Sequence, residues 1–262
     1  MTIDHDSADA LLTVSRGLQV LRAFRGERTP LSNTEIVART GLPKSTVSRL
    51  TTTLMFSGFL QHASGGRQFE LGTGALGIGQ AFLESSPLVQ RAQPFMQALA
   101  DRLNLSVALA MPDQLEMLYI TYCSGRNIAT LRLGVGSMLP MATTAIGRGY
   151  LWGLPVQERE ALIARMAQHM GPGFVKVRAD IDASFAEMAD SGCCLVVGGY
   201  QRDTYGIGCP VRVGRQRTVM GLNCGAAVLD ADFEKVRSTM SKALMEAAPE
   251  LEYLLQDLEG PF

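Results

Sequence analysis

Long apolar runs, histidine and charge of one sign are all scarce in this sequence of 262 residues. No run of about eighteen apolar residues occurs and no charged-then-apolar leader opens the chain, so we expect neither a membrane span nor secretion. The net charge is only −1 at pH 7, so no overall basicity indicates a nucleic-acid partner. These absences predict a cytoplasmic protein that has no membrane partner.

The residue types that most often carry catalysis are also few. The three histidines are His5, His62 and His169, and none has a metal-ligand partner at useful spacing. The segments Gly134–Gly136 and Gly206–Gly208 are too short to be dinucleotide-binding fingerprints. No cofactor or metal is therefore expected.

The cysteines do not change this expectation. There are five, an odd number, with no Cys-x-x-Cys pair, and they lie in apolar surroundings, which favours reduced thiols in a core. A hydrolase that used Cys209 or Cys224 as its nucleophile would lack a suitable base. The sequence therefore argues against an enzyme. The five cysteines are Cys123, Cys193, Cys194, Cys209 and Cys224.

What the sequence has is enough apolar material for a buried core and an uneven charge distribution. Hydrophobic residues make up 47% of the chain and charged residues 19%, and the length allows one or two domains. Residues 10–72 hold eight Lys and Arg against three Asp and Glu, whereas residues 73–262 hold sixteen against nineteen. The modest positive charge is thus confined to the first part of the chain.

That first part contains the most informative stretch, Leu31–Leu71. A capping signature at Ser32–Glu35 begins a short helix, Gly41 ends it, and Pro43 stands where a second helix starts. Two short strands around a loop with a basic residue follow, which predicts a hairpin. Helix, tight turn, helix and hairpin make a winged helix-turn-helix.

The second helix of this stretch has two different sides. Val47, Leu50 and Leu54 fall on one side, and small hydroxyl residues with one arginine fall on the other. A helix whose free side carries hydroxyls and an arginine fits the major groove of DNA. The outward residues are Ser45, Ser48, Arg49 and Thr52.

Two further helices flank this unit. The residues Leu11, Val14, Leu18, Leu21 and Phe24 recur at helical spacing and are expected to cover the helix-turn-helix pair. Leu12 and Val20 are extra apolar residues that suit either a dimer contact or the core. After the hairpin, a glycine-rich helix is expected to connect the two domains. The expected divisions are a tail over 1–9, a winged helix-turn-helix domain over 10–72, a linker helix over 73–86 and a second domain over 87–262.

The second domain begins with a helix, continues with strands, then helices, and returns to strands. Hairpin-length turns between the strands predict an α+β domain whose sheet is mostly antiparallel. The segment 134–140 is expected to be a loop. The expected strands are 106–111, 115–122, 128–133, 193–197, 207–213 and 219–228, the expected helices are 92–103, 143–154, 156–170, 181–191 and 231–247, and a short tail follows at 251–258.

Several segments together resemble the IclR family of transcriptional regulators. The resemblance spans both domains in order, and the turn with its second helix is the most specific part. It implies a winged helix-turn-helix joined by a helix to a GAF-like effector-binding domain, in a dimer or a dimer of dimers. The segments are 15–18, 40–50, 69–72, 139–147 and 209–211.

The resemblance implies which residues meet DNA. Arg49 is the best candidate for a bidentate contact to guanine, and Lys44 is expected to bind phosphate. Ser45, Thr46 and Ser48 are expected to reach bases or phosphates, and Arg67 the minor groove. Solvent exposure of Lys44 and packing of Thr46 remain the structural alternatives.

The resemblance also implies a pocket for a small effector, often a carboxylate. The backbone amides at the start of the helix near 143 suit an anion, and Thr143 and Thr144 add hydroxyls, although capping alone would also explain them. Val196, Gly206, Asn223 and Gly225 stand where related proteins carry more polar or reactive groups, which favours a larger or less polar ligand such as an aromatic or longer acid. The expected effector-binding residues are Met138, Leu139, Thr143, Thr144, Ala145, Ile146, Gly147 and Asn223.

The resulting hypothesis is a regulator of a catabolic operon that binds operator DNA under control of a small organic acid or aromatic metabolite. The alternative is a small-molecule sensor whose winged helix contacts another protein instead of DNA. Repression and activation are equally compatible with the sequence.

Overall fold

The computed structural model of the chain describes residues 11–24, 29–125, 133–227, 233–260 and 262, with the backbone alone for 233–237. The tail expected over 1–9 and nearly all of the strand expected at 128–133 lie outside these residues. The chain divides into two compact units, Met1–Ser85 and Ser86–Phe262. No described helix is both long enough and apolar enough to span a membrane.

The first unit is the winged helix-turn-helix that the sequence predicts. Its two strands pair antiparallel, with Leu60 opposite Leu71, and its apolar core forms where the helices and the strands meet. The elements are α1 (Leu12–Arg22), α2 (Asn33–Thr40), α3 (Lys44–Phe56), β1 (Leu60–His62), β2 (Phe69–Leu71) and α4 (Thr73–Ser85).

Local chemistry sets the tight turn between α2 and α3. The capping box is formed, because the Ser32 hydroxyl accepts from the Glu35 amide while the Glu35 carboxylate accepts from the Ser32 amide at 2.7 Å. Gly41 then adopts a left-handed conformation with φ +67°, which ends α2 at little steric cost. Pro43 caps the start of α3, where its missing N–H is not needed.

The expected packing of this first helix is correct for Phe24 and Leu21, which lie in or against the core, and wrong for the residues before them. Leu11 and Leu18 are 75% and 55% exposed and Val14 is exposed as well, whereas Val20 is fully buried together with Phe24. Val20 lies on the side of the helix opposite Leu11 and Leu18, and that side meets α2 and α3, whereas Phe24 enters the same core from just beyond the end of α1. Helical spacing groups residues on a side but does not say which side faces the core when both sides are apolar.

The second unit is an α+β domain built on one six-stranded sheet. The strand order is β5-β4-β3-β8-β7-β6, and all neighbours are antiparallel. The elements are α5 (Pro87–Leu103), β3 (Ser106–Asp113), β4 (Glu116–Ser124), β5 (Met138–Pro140), α6 (Ala145–Gly153), α7 (Val156–Met170), a 3-10 turn (Gly171–Gly173), α8 (Phe174–Ser191), β6 (Cys194–Val197), β7 (Thr204–Val213), β8 (Thr218–Ala227) and α9 (Phe233–Leu255).

Helices cover both faces of this sheet. On one face the thiol of Cys123 lies 3.9 Å from the Gln93 carbonyl of α5. On the other face α6 lies almost on the backbone of β7 and β8, because Gly208 and Gly221 present no side chain to it. A Cβ on Gly208 would overlap the carbonyl of Ala145, so glycine is what permits this close approach.

Three expected boundaries in this unit are wrong. Residues 138–140 form strand β5 at the edge of the sheet, where a loop was expected, because Met117 and its neighbours in β4 supply hydrogen-bonding partners. Helix α8 begins at Phe174 rather than 181. Helix α9 runs through Pro249 to Leu255, where a break and a tail were expected. Ala248, Leu251 and Leu255 are buried, and their packing stabilises the helix beyond the proline.

Candidate DNA interface and ligand cavity

The outward side of α3 carries the residues expected to meet DNA. Lys44, Ser45, Ser48, Arg49 and Thr52 are exposed, and Thr46 is half-buried between this side and the core. Val47, on the opposite side of the helix, is fully buried. The helix therefore has a packed side and a free polar side, as the sequence predicts.

The hydroxyls on α3 are held in place by the helix itself. Thr52 donates to the Ser48 carbonyl at 2.9 Å and Thr53 donates to the Arg49 carbonyl at 3.0 Å. Thr51, which sequence reasoning did not single out, is buried and donates to the Val47 carbonyl in the same way. Each hydroxyl oxygen keeps its lone pairs, so the exposed ones remain able to accept hydrogen bonds.

The hairpin adds a second basic position. Arg67 is exposed in the loop between β1 and β2, next to Gly65 and Gly66, which both have positive φ. Within the described part of the chain, Arg67, Lys44 and Arg49 take part in no ion pair. Their charges are therefore available to phosphate or base acceptors.

A small, partly open cavity lies between the sheet and the start of α6 in the second unit. Its volume is about 50 Å³, which is room for a few water molecules. Four tyrosines form much of its wall. The lining residues are Ser106, Ala108, Tyr119, Tyr122, Leu133, Leu139, Thr144, Ala145, Val196, Gly199, Tyr200, Thr204, Tyr205, Gly206, Asn223 and Gly225.

The first turn of α6 brings helix N–H groups to this cavity. Thr144 caps the helix, accepts from the Gly147 amide at 3.4 Å and donates to the Pro140 carbonyl at 2.7 Å. The amide of Ala145 is one of the first N–H groups of the helix, which have no acceptor inside the helix. The positive end of the helix dipole therefore adjoins the cavity, which favours an anionic group there.

A polar pair faces this helix end from the sheet. The Asn223 amide nitrogen donates to the Tyr119 hydroxyl at 3.3 Å, and the Asn223 amide oxygen is buried without a hydrogen-bond partner among the described residues. Burial raises the pKa of Tyr119 above its usual range, so its hydroxyl stays protonated and can donate. An acceptor group and a donor group are thus both presented to a ligand.

The tyrosines were not predicted, and a β-bulge explains why. Tyr119 and Tyr122 are three residues apart, so regular alternation would place them on opposite faces of β4. The pairing of β3 with β4 shifts by one residue between Leu109 and Ala110, which puts both tyrosines on the cavity face. Their rings stack with centroids 6.0 Å apart.

The structure brings together some of the expected effector-binding residues and not others. Leu139, Thr144, Ala145 and Asn223 line the cavity, as do Val196, Gly206 and Gly225. The others lie outside the lining. Thr143 donates to the Gly199 carbonyl at 2.8 Å, Gly147 packs on the backbone of Met141, and Met138 and Ile146 are buried in the domain.

The five cysteines are all buried and unpaired with one another. Burial raises the pKa of Cys123 to about 11 and the pKa of Cys194 and Cys224 to about 12. Burial likewise raises the pKa of Cys209 well above its usual value. These four thiols therefore stay protonated near neutral pH, unlike a nucleophilic cysteine.

A winged helix-turn-helix with a free polar recognition helix, followed by an α+β unit that holds a small cavity, is an architecture typical of transcriptional regulators. Comparison with known proteins agrees. Residues 13–64 match the IclR helix-turn-helix domain and residues 80–253 match the C-terminal domain of bacterial IclR transcriptional regulators. The chain therefore belongs to the IclR family, whose members are transcriptional regulators and not enzymes.

Individual relatives support this assignment. The regulator TsaQ1/TsaQ2 of Comamonas testosteroni is 32% identical over 197 residues, which is 74% of this chain and 70% of that protein. The crystal structure of an IclR-family regulator from Brucella abortus is 32% identical and superposes with a TM-score of 0.84, covering 96% of this chain and 95% of that one. An IclR homologue from Microbacterium hydrocarbonoxydans, solved with 4-hydroxybenzoate, has the same fold at 23% identity, with a TM-score of 0.66 over 93% and 98% of the two chains.

Proposed function

We propose that this chain is a ligand-responsive regulator that binds operator DNA through α3 and the hairpin, under control of an aromatic carboxylate bound in the second unit. The genes it controls are those of a catabolic operon. The observation that carries the ligand assignment is the cavity that combines a helix N-terminus with stacked tyrosines. The chain itself is proposed to act in the cytoplasm.

On the DNA side, α3 lies in the major groove in this proposal. Arg49 contacts a guanine, and Ser45, Thr46 and Ser48 contact bases or phosphates. The observation that supports these contacts is that the polar side of α3 is exposed to solvent. Lys44 and Thr52 contact the backbone at the ends of the same side, and Arg67 at the hairpin loop enters the minor groove.

On the ligand side, the carboxylate meets the first turn of α6 and the ring lies against the tyrosines. Asn223 and Tyr119 supply an acceptor and a donor that suit a polar substituent on the ring, such as a hydroxyl. The 4-hydroxybenzoate bound by the Microbacterium homologue has this combination of groups. Val196, Gly206 and Gly225 line the sheet side of the cavity without adding a polar side chain.

The cavity is small for an aromatic acid, so its wall has to move when such a ligand binds. A cavity of about 50 Å³ is smaller than the roughly 150 Å³ cavity that holds a benzene ring in a well-studied engineered protein. An aromatic acid therefore has to displace wall residues as it enters. Tyr200, which is partly exposed in the segment between β6 and β7, is the wall residue best able to move. A wall displacement of this kind is the event that changes DNA binding in the proposed mechanism.

The chain is also proposed to work as a homo-oligomer, a dimer or a dimer of dimers. In the first unit, Leu11, Val14 and Leu18 form an exposed apolar stripe on α1, and Leu76 and Phe82 are exposed on α4. Exposed apolar surface of this extent is typical of an interface between subunits. Two linked reading helices also bind two half-sites far more tightly than one helix binds one. The second unit is proposed to be GAF-like, and α4 is proposed to link the two domains at residues 73–86.

An electrophoretic mobility-shift experiment tests the function. The full chain is titrated onto the DNA upstream of its own gene at several salt concentrations, with and without 4-hydroxybenzoate. We expect a shift whose affinity falls steeply with salt, because several phosphates are contacted, and we expect 4-hydroxybenzoate to change the affinity.

The alternative, a sensor whose winged helix binds protein, predicts a different result. In that case the DNA shift is absent, or it has the same affinity on unrelated DNA of equal length. A shift that is specific but insensitive to 4-hydroxybenzoate and to benzoate keeps the DNA function and rejects the proposed ligand class.

A further inference from the structure

A guanidinium group is buried behind the first turn of α6. Arg148, the fourth residue of that helix, is only 7% exposed. Its Nε donates to the Ala142 carbonyl at 3.0 Å and its Nη1 donates to the Ser184 hydroxyl of α8 at 3.0 Å. Side chains on a helix lean toward its N-terminus, and this one folds back to the segment that precedes the helix.

This location is electrostatically unfavourable for a cation. Arg148 takes part in no ion pair among the described residues, and burial lowers its pKa despite the attraction of Asp180. Asp180 itself is exposed to solvent. The positive end of the α6 dipole adds a further repulsion, since cations are favoured at the opposite end of a helix. Arginine does not release its proton in proteins, so the charge remains.

The cavity described above lies at the same helix end. Ala142, whose carbonyl Arg148 holds, is two residues before Thr144, and Thr144 and Ala145 line the cavity. Arg148 does not line it. Its charge and the helix dipole both raise the positive potential in that space, where a bound anion would relieve the repulsion between them.

We propose that Arg148 makes the cavity selective for anions by supplying positive potential to a carboxylate that it does not touch. The inference rests on the proposed function and deepens it. Arg148 is thus a positioning residue with two effects: its charge favours an anionic ligand over a neutral one, and its hydrogen bond to Ala142 holds the turn before α6.

The test compares two probes of the same shape, benzoate and the neutral benzamide, by isothermal titration calorimetry on the full chain. Two variants separate the two effects. Arg148→Met removes both the charge and the hydrogen-bond donors and nearly keeps the length, whereas Arg148→Lys keeps the charge and loses the planar donor geometry. Thermal melting of the ligand-free variants checks that they fold.

We expect the wild-type chain to prefer benzoate. In Arg148→Met, benzoate affinity should fall about tenfold more than benzamide affinity, because both probes feel the loss of the hydrogen bond to Ala142 and only the charged probe feels the lost potential. In Arg148→Lys, the preference for benzoate should remain even where both affinities fall. Ligand-free Arg148→Met should melt lower than the wild type, because the buried Ala142 carbonyl and Ser184 hydroxyl lose their donor.

A preference for benzoate that survives unchanged in Arg148→Met overturns the role of Arg148 and leaves the proposed ligand class standing. Equal losses for both probes mean that Arg148 only holds the turn, which also overturns the inference. If Arg148→Met does not fold, Arg148→Lys decides alone, because a lost preference in that variant contradicts a charge effect. A wild-type chain that binds both probes equally rejects the carboxylate ligand itself.

Discussion

At the scale of single residues, the proposed DNA-contacting surface consists of a few α3 side chains that are exposed to solvent while their neighbours in the helix pack into the core. Val47 and Thr51 fill the packed side of α3, which leaves Ser48, Arg49 and Thr52 in solvent. Arg49 is the longest donor on that side and the one best suited to read a guanine edge.

Arg49→Ala should therefore weaken operator binding by about 1–3 kcal/mol and relax the base preference at one position. The measurement is a binding titration at fixed salt on the operator and on single-base variants of it. Arg215→Ala is the matched control, since Arg215 belongs to the second unit and its side chain forms an exposed ion pair with Glu259. An equal loss of operator affinity in both variants would mean that Arg49 acts only through the net charge of the protein and does not contact a base.

At the scale of elements, α6 is the helix on which the cavity depends. Thr144 and Ala145, at the start of this helix, line the cavity. The rest of the helix packs closely on β7 and β8, because Gly208 and Gly221 have no side chain to hold it away. The two glycines of β7 next to Ala145 differ in the room they leave. A Cβ on Gly208 would overlap the Ala145 carbonyl, whereas a Cβ on Gly206 would meet the Ala145 Cβ at an ordinary 3.7 Å.

Gly208→Ala should accordingly push the start of α6 away from the sheet, destabilise the second unit by about 1–3 kcal/mol and weaken ligand binding. Gly206→Ala is the matched control and should leave the melting temperature nearly unchanged. Thermal melting gives the stability, and fluorescence of Trp152, the only tryptophan and a residue of α6, follows the helix. Equal melting of the two variants would show that α6 is not held by this close approach.

At the scale of the whole molecule, the exposed stripe on α1 is the feature that a monomer does not explain. Leu18→Glu should keep the fold of the first unit, because Leu18 is more than half exposed. It should weaken self-association about tenfold or more, because it places a charge in the apolar interface proposed for this stripe.

Sedimentation velocity over a range of concentrations measures that change. Thr13→Glu adds the same charge at an exposed position of α1 that lies away from the Leu11–Leu18 stripe, and it should leave the association intact. Two variants that associate like the wild type would place the subunit interface elsewhere.

How much the sequence determined can be seen residue by residue. Ser32, Glu35, Gly41 and Pro43 fix the helix-turn-helix by local hydrogen bonds and backbone preferences, so the pattern alone predicted it correctly. The polar side of α3 followed from helical spacing in the same way. Antiparallel strands and the α+β class also followed from alternation and turn residues in the second unit.

The tertiary structure decided what spacing leaves open. Two apolar sides of α1 look alike in sequence, and only packing chose Val20 for the core over Leu18. The bulge in β4 turned Tyr119 and Tyr122 to one face, against simple alternation. Arg148 is a buried cation whose partners come from Ala142 and from Ser184 of α8, which lies 36 residues further along the chain. Helix caps and turns depend on neighbouring residues and can be predicted from the sequence, whereas burial and strand register depend on segments that are distant in the chain.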